Sequence, residues 1–300
     1  MPQAKANGIT LEYDVHGPAS GEPLLLIMGL GAQMTRWPLP FVDILVQRGL
    51  RVIRFDNRDV GLSERIESGG APDLTKVIGA MMHGQTPDVP YLLDDMAADA
   101  VGLLDALGIA RAHIVGASLG GMVAQLVAAD YPDQVLSLTS IMSSTGNRQL
   151  PPAKPEAMAV LNNRGPDPTV DLDGYLAHAV IGARAIGSPG YPDDAGVRER
   201  SLNDFRRSYY PLGFARQYAA AVASADRRPK LAGITAPTVV IHGDADPLVP
   251  VEGGRDTAAN VPGAELRIVP GMGHDFPPAL YETIADGIMR AVERSKASAG

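Results

Sequence analysis

Gly116-Ala117-Ser118-Leu119-Gly120 carries the pattern G-x-S-x-G, between an apolar run at 112–115 and a run of small and apolar residues at 121–129 that Pro132 closes. A strand turning sharply into a helix strains its middle residue and brings the two backbones together. The positions two before and two after must therefore lack bulk, which Gly116 and Gly120 satisfy. The turn also sets Ser118 at a helix N-terminus, whose free N–H groups and dipole favour an oxyanion. A glycine-rich turn can equally join two elements or bind a phosphate. Here no Lys follows as in a phosphate-binding loop, and G-x-G-x-x-G is absent. Ser118 reads as a nucleophile.

A serine hydroxyl attacks only when a neighbouring base takes its proton. Six histidines are candidates. His16 sits beside the Gly17-Pro18 turn, His83 and His178 lie far from any strand end, and His113 is inside the strand that leads to Ser118. His242 ends a strand just before an acidic turn. His274 lies in Pro270-Gly271-Met272-Gly273-His274, a loop beyond the last strand, and reads as the base. The orienting acid should come from Gly243-Asp244-Ala245-Asp246-Pro247. One carboxylate would fix the imidazole tautomer and the other would cap the turn; spacing alone does not choose between Asp244 and Asp246.

The elements that must position these groups alternate. Residues 24–28, 51–56, 113–117, 135–142, 238–242 and 265–269 read as strands, several of them continuously apolar, as in a parallel sheet covered on both faces. Residues 91–107 carry apolar positions at helical spacing, with Asp94 and Asp95 in the first turn and Gly108 as the stop. This alternation predicts an α/β fold with helices on both sides of a mostly parallel sheet. From 143 to about 233 the chain is rich in Pro and Gly, with helical stretches at 170–186 and 197–224 and no convincing strand. The resulting division is a first core part at 1–146, a helical cap at 147–232 and a second core part at 233–300. A helical insertion between two strands reads as a lid over the carboxyl edge of the sheet, where ligands bind in open α/β folds. Residues 296–300 read as a frayed end.

Composition narrows the partners. A chain of 300 residues, 45% hydrophobic, can bury one large core, or a core with a small second domain. The formal charge of −8 and the absence of any Lys/Arg cluster argue against a nucleic-acid groove or an anionic membrane surface. With no cysteine, disulfides, thiolate nucleophiles and Cys-based metal sites are excluded together. No H-E-x-x-H or cluster of histidines implies a metal, and no cofactor is expected. Residues 1–8 lack a signal-peptide core, and a cytoplasmic location is the default expectation.

With these residues in place, the chain resembles the α/β-hydrolase superfamily over nearly its whole length. Asp56-Asn57-Arg58-Asp59-Val60-Gly61-Leu62-Ser63 is similar to the family's D-x-R-x-x-G-x-S loop, and Met28-Gly29-Leu30-Gly31 stands where the family carries its His-Gly oxyanion loop. His242 to Pro250 resembles the acid loop, in which the Asp three after Gly is catalytic, and Gly271-Met272-Gly273-His274 resembles G-x-G-H. The resemblance implies the chain order Ser, acid, His, with Asp246 rather than Asp244 as the acid. It also implies the backbone N–H groups of Leu30 and Leu119 as oxyanion donors. Met28 departs from the family's usual His, which puts the shape of that loop in question rather than the catalysis. Met-Gly-Leu-Gly paired with Asn-Arg-Asp-x-Gly-x-Ser looks most like a bacterial carboxylesterase branch that includes anthracycline methylesterases.

The expectation is a serine carboxylesterase acting on a small-molecule ester of small to medium size, with no nucleic-acid or membrane partner. Gly29, Trp37, Met142, Tyr209, Tyr210 and Leu248 are the candidate substrate contacts. The bland alternative is that Trp37 is a packing anchor, and that at least half of the insertion's aromatics (Tyr175, Tyr191, Phe205, Tyr209, Tyr210, Phe214, Tyr218) fill its own small core. The same triad also serves C–C hydrolases, lactonases and cofactor-free perhydrolases. A non-catalytic ligand-binding protein on this fold can retain all three residues.

Overall fold

The computed structural model describes residues 2–163 and 165–298. Its strands are β1 (Gln3–Ala6), β2 (Ile9–His16), β3 (Glu22–Ile27), β4 (Leu50–Phe55), β5 (Ala112–Ala117), β6 (Val135–Ile141), β7 (Thr238–Gly243) and β8 (Glu265–Val269). They form one sheet in the order β1-β2-β4-β3-β5-β6-β7-β8. β2 pairs antiparallel with β1 and β4, and every later pairing is parallel. The helices are α1 (Leu39–Gln47), α2 (Leu74–Met82), α3 (Leu93–Ala106), α4 (Leu119–Asp130), α5 (Pro155–Asn162), α6 (Leu172–Ile186), α7 (Asp194–Arg207), α8 (Pro211–Ala223), α9 (Arg228–Leu231), α10 (Glu252–Asn260) and α11 (Tyr281–Ser298).

Period-two alternation in the buried strands builds two cores. In β3, Leu25 and Ile27 face a cluster with Met96, Ala100 and Leu104 of α3 and Val123 and Val127 of α4. Leu24 and Leu26 face the opposite cluster, with Phe41 and Leu45 of α1 and Ile284 and Ile288 of α11. Burying one such side chain stabilises the fold by roughly 1.5–3 kcal/mol. With both faces covered, the loops at the carboxyl ends of the strands remain as the place for chemistry.

All six expected strands are present, with no end moved by more than two residues and the strand at 265–269 unchanged. The N-terminal hairpin is additional. Asn7 (φ 49°) and Gly8 (φ 81°) turn β1 into β2, and two successive positive φ values are what a tight two-residue hairpin of primed type requires. The run expected as helix over 197–224 is interrupted. α7 ends at Arg207 and α8 starts at Pro211, whose ring disfavours helical geometry at Tyr210 and removes an N–H donor. Helices α5 to α9 all lie between β6 and β7. The frayed end expected from 296 is corrected: residues 296–298 complete α11, while 299 and 300 lie outside the described residues. Among the described residues no helix is long and apolar enough to cross a membrane.

Candidate active site

Ser118 joins β5 to α4 with φ 55° and ψ −121°, a left-handed conformation that an L-residue adopts only when its surroundings enforce it. A Cβ on Gly116 would collide with the Gly120 carbonyl, and one on Gly120 would collide with the carbonyls of Ile27 and Met28. The two glycines thus let α4 start directly above β5 and against the end of β3. The Ser118 N–H donates to the Ile141 carbonyl at 2.9 Å, and the Ser143 hydroxyl donates to the Ser118 carbonyl at 2.8 Å.

The other two groups come from the ends of β7 and β8. His274 Nε2 lies 2.9 Å from Ser118 Oγ, and His274 Nδ1 lies 2.7 Å from Asp246 Oδ2. Because an ionised carboxylate only accepts, Nδ1 carries the proton and Nε2 is left to accept from the serine hydroxyl. The second carboxylate oxygen of Asp246 accepts from the backbone N–H of Leu248 and of Val249, both at 2.9 Å. Asp246 is therefore buried, fully bonded and fixed in direction. Asp244 does something else: its Oδ1 accepts from the Gly271 N–H at 2.7 Å and holds the loop that carries His274.

The remaining histidines have other positions. His242 Nε2 donates to the Val249 carbonyl at 2.8 Å, and burial pushes its imidazole below the ordinary value, so it stays neutral beside Asp246. His113 packs against Ser137 and Glu22, and His16 against Asp14 and Arg54. His83 bonds the Gly79 carbonyl in its own helix, and His178 bonds the Asn163 carbonyl.

Gly29 lies against Ser118, where an added Cβ would stand 3.2 Å from the serine Cβ. The loop after β3 is tied at several points. Asn57 Nδ2 donates to the Met28 carbonyl at 2.9 Å, and the Ala32 N–H donates to the Gly29 carbonyl at 3.2 Å. Among the described residues, neither the Leu30 nor the Leu119 N–H has an acceptor. The Asp56–Ser63 motif builds the support. Asp56 accepts from the Met34 and Leu62 N–H groups and pairs with Arg207 at 2.7 Å. Arg58 makes a two-pronged pair with Asp99, both contacts at 2.6 Å.

Above Ser118 lies a cavity of about 660 Å³, lined by both the core loops and the insertion. Of the candidate substrate contacts, Gly29, Met142, Tyr209, Tyr210 and Leu248 line it. Trp37 does not, which corrects its assignment as a substrate contact. Its ring is fully buried, 5.8 Å from that of Phe41 and edge-on to Phe276 at 4.8 Å, so it anchors the core. Of the insertion's aromatics, all but Tyr191 line the cavity. Tyr175, Phe205 and Tyr209 also pack on one another, so the same rings make the insertion's core and the cavity wall.

A family model for the alpha/beta hydrolase fold matches residues 22–277. The chain belongs to this family. As an α/β-hydrolase it is 28% identical to the rhodomycin D methylesterase of Streptomyces peucetius, over 93% of this chain and 94% of that one. It is also 28% identical to the poly(3-hydroxyalkanoate) depolymerase of Ectopseudomonas oleovorans, over 91% and 85% of the two chains. Among solved structures, the enol-lactonase from Burkholderia xenovorans LB400 matches with a TM-score of 0.71 at 23% identity, covering 97% of this chain and 100% of that one. At that identity the likeness speaks for the fold alone.

Three further residues of this α/β-hydrolase sit at the site without having been marked by any motif. Asp275 follows His274 directly and bonds Ser188 from the end of α6. Gln217, in the middle of α8, reaches the loop after β3. A carboxylate next to a candidate base is a usable signal in the sequence. A glutamine within a helix is not.

Proposed function

We propose that this α/β-hydrolase cleaves carboxylic esters through an acyl-enzyme formed on Ser118, with His274 as base and Asp246 as its orienting acid. The observation that carries the reading is the relay Asp246–His274–Ser118, with contacts of 2.7 and 2.9 Å; the Leu30 and Leu119 N–H groups, without an acceptor among the described residues, support it. His274 takes the proton of Ser118 as Oγ attacks the ester carbonyl. The N–H groups of Leu30 and Leu119 then receive the developing oxyanion. His274 returns the proton to the departing alcohol, and a water molecule hydrolyses the acyl-enzyme by the same route. Loss of one such donor costs on the order of 100- to 1000-fold in other enzymes, so backbone geometry at Leu30 matters as much as a side chain.

The relative named as a methylesterase favours an ester bond over a C–C bond. In this reading residues 147–232 act as a cap over the core formed by 1–146 and 233–300, and the cavity takes a small to medium soluble ester. Turnover of p-nitrophenyl esters of graded chain length, by the native protein and by Ser118→Ala, tests the reading. Activity is expected on short and medium chains and only with the serine present. Undiminished turnover by Ser118→Ala refutes it.

A further inference from the structure

We infer that Gln217 is a positioning residue for the oxyanion site, supplied by the insertion to the catalytic core; the inference rests on the esterase reading above. Gln217 is fully buried on α8. Its Oε1 accepts from the Gly31 N–H at 2.8 Å and its Nε2 donates to the Arg58 carbonyl at 2.8 Å. One partner is a donor and the other an acceptor, so the amide has a single orientation that satisfies both.

The bond to Gly31 falls where it has leverage. Gly31 has φ 64° and follows Leu30 directly. Asn57 holds the Met28 carbonyl, the Ala32 N–H occupies the Gly29 carbonyl, and Gln217 occupies the Gly31 N–H. The Leu30 N–H lies between these bonds and has no acceptor among the described residues. Gln217 is itself held still. A Cβ on Gly213 of the same helix would strike the Asp59 carbonyl, and Arg216 pairs with Asp59 at 2.9 Å with both side chains buried. Phe214, one turn before Gln217, lies against Gly31. Helix α8 is thus pressed onto the core loops at three successive points, and its glutamine sets the peptide geometry beside the oxyanion donor.

A donor aimed at the transition state acts on kcat and leaves ground-state binding alone. Gln217→Met keeps length and volume but makes neither bond; Gln217→Asn stays polar but is too short for both. The expected result, per folded enzyme on a p-nitrophenyl ester, is a kcat about 10- to 100-fold lower in each variant with KM within about twofold. The inhibition constant of phenylboronic acid, which forms a tetrahedral adduct on the serine, should rise in parallel with the loss in kcat. In the native protein the Gly31 amide should exchange slowly with deuterium, a readout that needs no variant to fold. Unchanged kcat in a folded variant, unchanged boronate affinity, or a rapidly exchanging Gly31 amide overturns the inference. If Ser118→Ala abolishes turnover while Gln217→Met does not lower it, this inference alone fails. If Ser118→Ala turns over like the native protein, the esterase reading fails and takes the inference with it.

Discussion

Asp275 is fastened to Ser188 by two hydrogen bonds: the Ser188 hydroxyl and N–H both donate to Asp275 Oδ1, at 2.5 and 3.1 Å. The Gly273 N–H donates to Ser188 Oγ at 2.9 Å, and the His274 N–H donates to the Ile186 carbonyl at 2.7 Å. The loop that carries the proposed base is therefore stitched to the end of α6. Gly273 is needed for this approach, because a Cβ there would collide with the Gly187 carbonyl.

Ser188→Ala removes the hydroxyl that both donates to Asp275 and accepts from Gly273. Its expected cost is about 10- to 100-fold in kcat through a displaced imidazole and about 1 kcal/mol of stability. Asp275→Asn keeps a carbonyl acceptor for Ser188 and should lose less activity than Asp275→Ala. Steady-state kinetics and urea denaturation check both statements. Full activity in Ser188→Ala and Asp275→Ala would mean the loop is held without this clip.

The two carboxylates of the acid loop should behave differently. Asp246→Asn can present its NH₂ group to His274 and favour the wrong tautomer, with an expected loss of about 10⁴-fold in kcat. Asp244→Asn retains an acceptor for the Gly271 N–H and should stay within about threefold of native activity. Equal losses at the two positions would contradict the assignment.

Stability should fall on mild acidification. Burial pushes the imidazoles of His113 and His242 below the ordinary value of 6.5, and at His113 it outweighs the pull of the Glu22 carboxylate 3.1 Å away. As the pH falls through about 6.5 the unfolded chain binds protons that the folded chain does not, so unfolding becomes easier. The slope is up to about 1.4 kcal/mol per pH unit for each histidine. Urea midpoints between pH 8 and 5.5 test this, and His113→Gln should flatten the slope. A native midpoint that does not move over that range would contradict it.

Legibility in the sequence followed the physics of each part. Strands β3 to β7 were visible because they are largely buried on both faces, and the half-buried edge strand β8 by its Leu266, Ile268 and Val269. The hairpin β1–β2 was not, because its strands mix exposed and buried positions; the Asn7-Gly8 turn was the signal that stood there unused. The Ser118 elbow was legible because sterics force glycine at 116 and 120. Asp246 could be separated from Asp244 only by resemblance, since the choice depends on where a loop from β8 returns. Trp37 misled because nearness along the chain to the loop after β3 says nothing about which face of the sheet its ring packs on. Ser188 and Gln217 were silent for a related reason. Their partners are 87 and 186 residues away, so their roles exist only once the insertion is folded onto the core.

The central claim is a covalent acyl group on Ser118. Rapid mixing with excess p-nitrophenyl ester, followed by acid quench and mass mapping of the peptide that contains residue 118, tests it directly. The account expects a burst approaching one equivalent of p-nitrophenol per active site, and an acyl mass increment on Ser118 that disappears in Ser118→Ala. An increment on another residue, or turnover that persists unchanged in Ser118→Ala with no modified serine, would contradict it.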